Sequence, residues 1–266
     1  MIPDEPIKPR DFLSLERFFG VRVSPEDFRV LLVLVAAAIC LTLQHFGPAL
    51  SFAWLLDRLP GVSWQIRFLW LMNWAAWIAL TYFLLPVLLS KLLFKEKLRN
   101  HGLKAKGLLR NAWIYLAAFF VVFVAVWIVS GQESFVSKYP FLPLPKDSGG
   151  NSGIWWIYFG VWEIVYFLQF CALEYFFRGF LLFEMERKFG FHAVFLAMIP
   201  YCMIHFEKPF LEALGSIVAG IFLGMLALRT RSILFGMVLH CLVAVSMDVA
   251  ALLRKGSLPP FPWLAP

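Results

Sequence analysis

Inside a long apolar stretch the chain places Glu174 and, four residues later, Arg178. Two imidazoles, His205 and His240, stand in later apolar stretches. Charged and imidazole groups are costly in hydrocarbon, so a chain that keeps them pairs them, lines a wet cavity with them, or uses them for chemistry. The i,i+4 spacing puts Glu174 and Arg178 on one helical face, where they pair strongly. Such a pair either fixes its helix against neighbours or holds an oriented carboxylate. A carboxylate and two imidazoles brought together can bind water, polarise a carbonyl or hold a metal. Glu163 lies eleven residues before Glu174, about three turns away on nearly the same face. It reads as a supporting carboxylate or as one facing an aqueous vestibule.

The elements that must position these groups are apolar helices. Of 266 residues, 61% are hydrophobic and 15% charged, with mean hydropathy +0.76. A soluble domain of this length has no interior large enough for that much apolar surface. Apolar runs cover roughly 28–46, 66–94, 112–131, 153–183, 189–206, 212–229 and 232–252. Most approach the ~20 residues that cross a bilayer as a helix. The expected fold is therefore all-α, a polytopic transmembrane bundle of seven or eight spans. A further run, 49–56, is too short to cross and is expected in the interface.

The formal net charge of +7 is not a nucleic-acid signal, because the basic residues cluster in flanks and loops. Lys8, Arg10, Arg17, Arg22 and Arg29 lead into the first run, and residues 91–110 hold seven more cations opposed by Glu96. The positive-inside rule places both regions in the cytoplasm, beside anionic lipid headgroups. The N-terminus is then cytoplasmic, and no cleaved signal peptide is read, since the polar lead is too long. Residues 1–27 read as an interfacial arm, 28–131 as accessory transmembrane helices and 153–252 as the core. Cys40, Cys171, Cys202 and Cys241 form no Cys-x-x-Cys pair and read as small buried hydrophobes. Gly220 and Gly224 have small-xxx-small spacing, which lets helices approach closely.

At its polar residues the chain resembles the CAAX protease and bacteriocin-processing family of intramembrane peptidases, the prenyl-protease type. The family pattern is Glu-Glu-x-x-x-Arg, then Phe-x-x-x-His, then His-x-x-x-Asn. Here the blocks are Leu173-Glu174-x-x-x-Arg178, Tyr201-x-x-x-His205 and His240-x-x-x-Ala244. Order and intervals match over about residues 153–250. Leu173 stands where the family has its first Glu, and Ala244 where it has Asn. By the resemblance, the absent Glu activates water, the histidines and Asn position water and stabilise the oxyanion, and Glu174 and Arg178 are the supporting pair.

The resemblance implies an intramembrane endopeptidase in which Glu174 deprotonates a water held by His205 while His240 donates to the oxyanion. Arg178, Tyr201 and Glu163 support them. The implied substrate is a hydrophobic or lipidated protein, in contact with membrane lipids, and the expected location is a bacterial inner membrane. A Zn²⁺ site needs at least three protein ligands. His205, His240 and Glu174 supply them on paper, but the family reads as glutamate-dependent, and no obligatory metal is expected. Two alternatives stand beside this. One is a non-catalytic relative acting as a membrane binding or immunity protein, which Leu173 and Ala244 favour. The other is a small transporter, which usually shows repeats or broken helices.

Overall fold

A computed structural model describes residue 20 and residues 23–56, 64–105, 108–144 and 152–256. Most of the 1–27 arm lies outside them. The described residues form helices joined by short connections, with no strand among them. The α-helices are α1 (Pro25–Leu56), α2 (Trp64–Ile78), α3 (Leu85–Leu92), α4 (Ala112–Val129) and α5 (Glu133–Lys138), then α6 (Ser152–Glu174), α7 (Leu182–Phe189), α8 (Ala193–Met203), α9 (Phe210–Thr230) and α10 (Leu234–Lys255). Two wider π turns interrupt the series: Ala79–Leu84 joins α2 to α3, and Tyr175–Leu181 joins α6 to α7.

Among the described residues, six helical stretches are long and apolar enough to cross a membrane: Pro25–Ala53, Trp64–Leu92, Leu109–Val129, Ile154–Met203, Phe210–Thr230 and Leu234–Lys255. The protein is a polytopic helical membrane protein. Six candidates stand close to the expected seven or eight, and among the described residues the run 189–206 is not a candidate by itself but the end of the Ile154–Met203 stretch. It folds as a short 3₁₀ turn at Gly190–His192 followed by the 11-residue α8. That helix rises about 16 Å, half of a hydrocarbon core of roughly 30 Å.

The first helix also departs from expectation. Ser24 caps it, its Oγ accepting from the Asp27 amide at 3.1 Å while its own amide donates to Asp27 Oδ2 at 2.9 Å. Pro25 then takes the first helical position, where its missing N–H costs nothing. The helix runs on to Leu56, so residues 49–56 are its continuation and not an interfacial segment. The helix continues through Pro48, and polar side chains gather at the carbonyls around it. Asn73 Nδ2 donates to the Pro48 carbonyl at 2.9 Å, and Ser51 Oγ donates to the Gly47 carbonyl at 2.9 Å. Gly47 itself is required, since a Cβ there would lie 2.6 Å from the Trp77 ring.

Contacts gather the basic flanks at one end of the bundle. Arg29 of α1 pairs with Glu184 of α7 at 2.6 Å and with Glu96 at 3.2 Å, and Arg187 reaches Glu96 at 2.7 Å. Arg231 donates to Glu186 at 2.7 Å, and Ser232 Oγ donates to the Lys104 carbonyl at 2.7 Å. Residues 95–105 are thereby fastened to the bundle, although most of their side chains stay exposed. They turn through a 3₁₀ helix at Leu98–His101, and His101 is fully buried. Gly179 admits this segment, since a Cβ there would stand 2.9 Å from the His101 carbonyl oxygen. At the other end, Arg254 donates to Ser130 Oγ at 3.2 Å.

Candidate active site

The motif residues come from the end of α6 and the π turn after it, from α8 and the turn that follows it, and from α10. The α8–α9 hairpin closes tightly over Gly220 and Gly224: a Cβ at the first would stand 2.9 Å from Met198 Cγ, and at the second 3.0 Å from Val194 Cγ1. Close approach therefore explains this glycine pair, and it brings Tyr201 of α8 over the π turn. Gly236 does the same for α10, since a Cβ there would lie 3.2 Å from Glu174 Oε2.

Glu174 ends α6 and is 1% exposed; Arg178, in the π turn, is 3% exposed. Arg178 Nη1 lies 3.0 Å from Glu174 Oε1, and His240 Nδ1 lies 2.9 Å from the same oxygen. The arginine contact is an ion pair rather than a well-aimed hydrogen bond, since Nη1 and Nη2 have no partner of hydrogen-bonding geometry. Glu174 Oε2 likewise has none. The guanidinium is instead spread over the Tyr201 ring, with Cζ 3.8 Å from the centroid, a cation–π contact that accommodates a desolvated arginine. Phe170, one turn before Glu174, stacks on His240 with centroids 4.2 Å apart.

His205 follows α8 in the turn before α9. Its ring packs on Tyr201 at 4.7 Å, and Tyr201 lies 6.3 Å from the His240 ring. Its Nδ1 is 2.8 Å from the Tyr201 carbonyl oxygen. That oxygen only accepts, so Nδ1 carries the hydrogen and Nε2 of the neutral ring keeps its lone pair. His240 Nδ1 likewise donates to the Glu174 carboxylate, and Nε2 is the other nitrogen of its ring.

Glu174, Arg178, Tyr201, His205 and His240 therefore meet in one cluster, with Tyr201 linking the arginine to both imidazoles. Glu163 is not part of it. Its carboxyl faces Asp248 of α10, and no contact among the described residues joins it to Glu174, His205 or His240. The 11-residue separation that put Glu163 and Glu174 on one face is correct for a helix, but it also puts them about 16 Å apart along the axis. Leu173 and Ala244 are buried apolar residues, at 6% and 4% exposure. Cys40 and Cys241 are buried, Cys171 and Cys202 partly so, and all four are free. Among the described residues, no three His, Cys, Asp or Glu side chains are grouped to hold a metal ion.

Two residues, one polar and one aromatic, escaped notice in the sequence. Asp248, a lone carboxylate in the last apolar run, met the criterion that singled out Glu174 but lay outside the motif. Phe170 gave no signal, because one aromatic among many becomes a histidine's stacking partner only through tertiary contact.

Neither the curated proteins nor the solved structures yield a match to this chain. Residues 152–246, which hold the whole cluster, match the family model of the Rce1-like type II CAAX prenyl endopeptidases, and over that region the resemblance read from the three motifs is borne out.

Proposed function

We propose that the protein is an intramembrane endopeptidase of the CAAX-processing type, cutting a hydrophobic or lipidated protein substrate. The observation that carries this reading is the convergence of His205 and His240, through Tyr201, on the Glu174–Arg178 pair within the segment that matches the family. Glu174 Oε1 takes both Arg178 and His240 while Oε2 is buried against Gly236, so in this reading the carboxylate acts by orienting and charging His240. His205 Nε2, with its lone pair, takes a proton from water as the water oxygen attacks the scissile carbonyl. His240, as an imidazolium paired with Glu174, donates from Nε2 to the oxygen on which charge develops. The proton held by His205 then passes to the leaving amide nitrogen as the C–N bond breaks. This moves the role of base from Glu174 to His205. The basic end of the bundle is assigned to the cytoplasm, in a bacterial inner membrane.

The second reading, a non-catalytic binding or immunity protein, is favoured by one observation: buried Leu173 and Ala244 occupy the positions where the resemblance places a glutamate and an asparagine. Cleavage of a lipidated protein by the full chain in proteoliposomes separates the two. The peptidase reading expects cleavage by the natural chain and a loss of about 10²-fold or more in His205→Ala. No cleavage by the natural chain, together with cleavage by Leu173→Glu/Ala244→Asn, establishes the binding reading instead.

A further inference from the structure

Beyond the active-site cluster, α6 and α10 bring together two more carboxyls. The helices run antiparallel, since Glu174 meets His240 near one level. Eleven residues back along α6 and eight forward along α10, about 16 and 12 Å by helical rise, Glu163 meets Asp248. Asp248 is 0% exposed. Both oxygens of each carboxyl are buried, and among the described residues none of the four has a partner of full hydrogen-bonding geometry; the Phe141 backbone approaches Asp248 closely enough to act on it. The two side chains lie within hydrogen-bonding reach of one another.

The surroundings supply aromatic cover and little free positive charge. Tyr166 of α6 stacks on Trp162 at 4.7 Å and meets the edge of Phe141 at 5.6 Å. From the connection before α9, Lys208 reaches into the same region, and its charge acts on Asp248. Its ammonium is already engaged, donating to Tyr139 Oη at 3.0 Å, lying 3.7 Å from Glu212 Oε1 and sitting 4.2 Å over the Phe141 ring. Tyr139 Oη in turn donates to Glu212 at 2.8 Å. From α2, Arg67 donates to the Phe141 carbonyl at 3.5 Å. Lys255, at the end of α10, also acts on Asp248 through its charge, without direct contact. With Lys208 matched by Glu212, two ionised carboxyls at Glu163 and Asp248 would stand side by side with no cation between them among the described residues. Two carboxylates sharing an apolar site do not both ionise. A hydrogen between them turns one carboxyl into a donor and the other into its acceptor, which answers the missing partners of both.

We propose that Glu163 and Asp248 form a proton-binding site, in which one proton is shared between the two carboxyls and ties α6 to α10. The site is separate from the peptidase cluster and does not depend on whether that cluster cuts peptides. Its ligand is a single proton. Removing it leaves two like charges in contact, so the α6–α10 junction loosens at that level as the proton is lost.

The test is infrared difference spectroscopy on the full chain in lipid nanodiscs, following the carbonyl stretch of a protonated carboxylic acid that shifts on exchange into heavy water. Near neutral pH the natural chain should show one such equivalent, which disappears in a single step as pH rises. Glu163→Gln and Asp248→Asn should each remove it, because the amide N–H takes the proton's place and leaves the remaining carboxyl ionised. The natural chain's own titration decides the matter even if a variant fails to fold. No protonated carboxyl near neutral pH overturns the proposal. So does a band that survives in both variants, or in one of them, since a carboxyl that keeps its proton alone is not sharing it. A band abolished by sodium at constant pH assigns the site to a metal cation and overturns the proton.

Discussion

Glu174 and Glu184 lie ten residues apart on one helical run, and each meets an arginine and a histidine, yet the two triads are finished differently. At Glu184, Oε1 accepts from His101 at 2.8 Å and from Arg29 at 2.9 Å, and Oε2 accepts from Arg29 at 2.6 Å. The far nitrogen of His101 lies 3.2 Å from the Tyr175 hydroxyl. Both carboxylate oxygens are used, by partners 83 and 155 residues away in sequence. At Glu174 one oxygen takes both partners, while the other oxygen and the outer guanidinium nitrogens stay without hydrogen bonds. A saturated buried network specifies and fastens a fold, whereas unfilled polar capacity in the interior calls for a functional explanation. The same three residue types thus make a fastener at the end of the bundle and a candidate reaction centre inside it.

The sharpest way to break that contrast is to remove one histidine from each triad. His240→Ala should lower turnover of a lipidated substrate by about 10²–10⁴-fold, whereas His101→Ala should leave turnover per folded molecule unchanged. Equal losses per folded molecule would erase the distinction. Stability should show the reverse emphasis. Glu184→Ala leaves Arg29 and His101 facing a buried gap, and breaking such a pair costs about 3–5 kcal/mol, read as a lower thermal midpoint in detergent micelles. A smaller effect sharpens the fastener's outline. Gly179→Ala pushes a Cβ toward the His101 backbone, and overpacking of this kind costs about 1–3 kcal/mol. Hydrogen exchange should rise in residues 95–105 before it rises in α10.

The smallest effect concerns pH. Burial alone would raise the Glu96 pKa, but bonds and charges from Asn100, Arg187 and Arg29 outweigh it and hold the carboxyl below its ordinary value. A depressed carboxylate stabilises the fold above the unfolded-state pKa and loses that contribution as pH falls through the folded one. Docking of residues 95–105 should therefore be flat from neutral pH down to about 4 and loosen below. Glu96→Gln should cost about 0–1 kcal/mol at neutral pH, since Arg187 is 44% exposed, and should remove the acid-limb dependence. Chemical denaturation across that range measures both.

The helical membrane class was legible in the sequence because hydrocarbon demands long apolar runs, and those runs survive as α1, α2–α3, α4, α6, α9 and α10. The Glu174, His205 and His240 cluster was legible because a motif fixes order and interval within 70 residues of chain. What escaped was non-local. Nothing local marks His101 as the partner of Glu184, or Asp248 as the partner of Glu163, since each pair joins segments far apart in sequence. The run 189–206 misled because its hydropathy is that of a span, while the turn at Gly190–His192 and the early end of α8 depend on packing against α9. The run 49–56 misled in the opposite direction: too short to cross alone, it continues α1 to Leu56.

The two π turns carry one more consequence, in terms of insertions and deletions. Each holds one residue more than an α-turn needs, and they face each other, Tyr82 stacking on Phe176 at 4.7 Å and meeting Phe177 edge-on at 5.8 Å. Deleting one residue from Tyr175–Leu181 would restore α-helical pitch and leave the faces beyond it nearly in phase, so that Glu184 keeps its direction toward Arg29. The same deletion in the α-helix on either side turns everything beyond it by about 100° and swings Glu184 away from Arg29 while Glu174 stays in place. Each turn is thus a slot that can give up one residue, and relatives of different length should place their gaps inside Tyr175–Leu181 or Ala79–Leu84 rather than in the flanking helices.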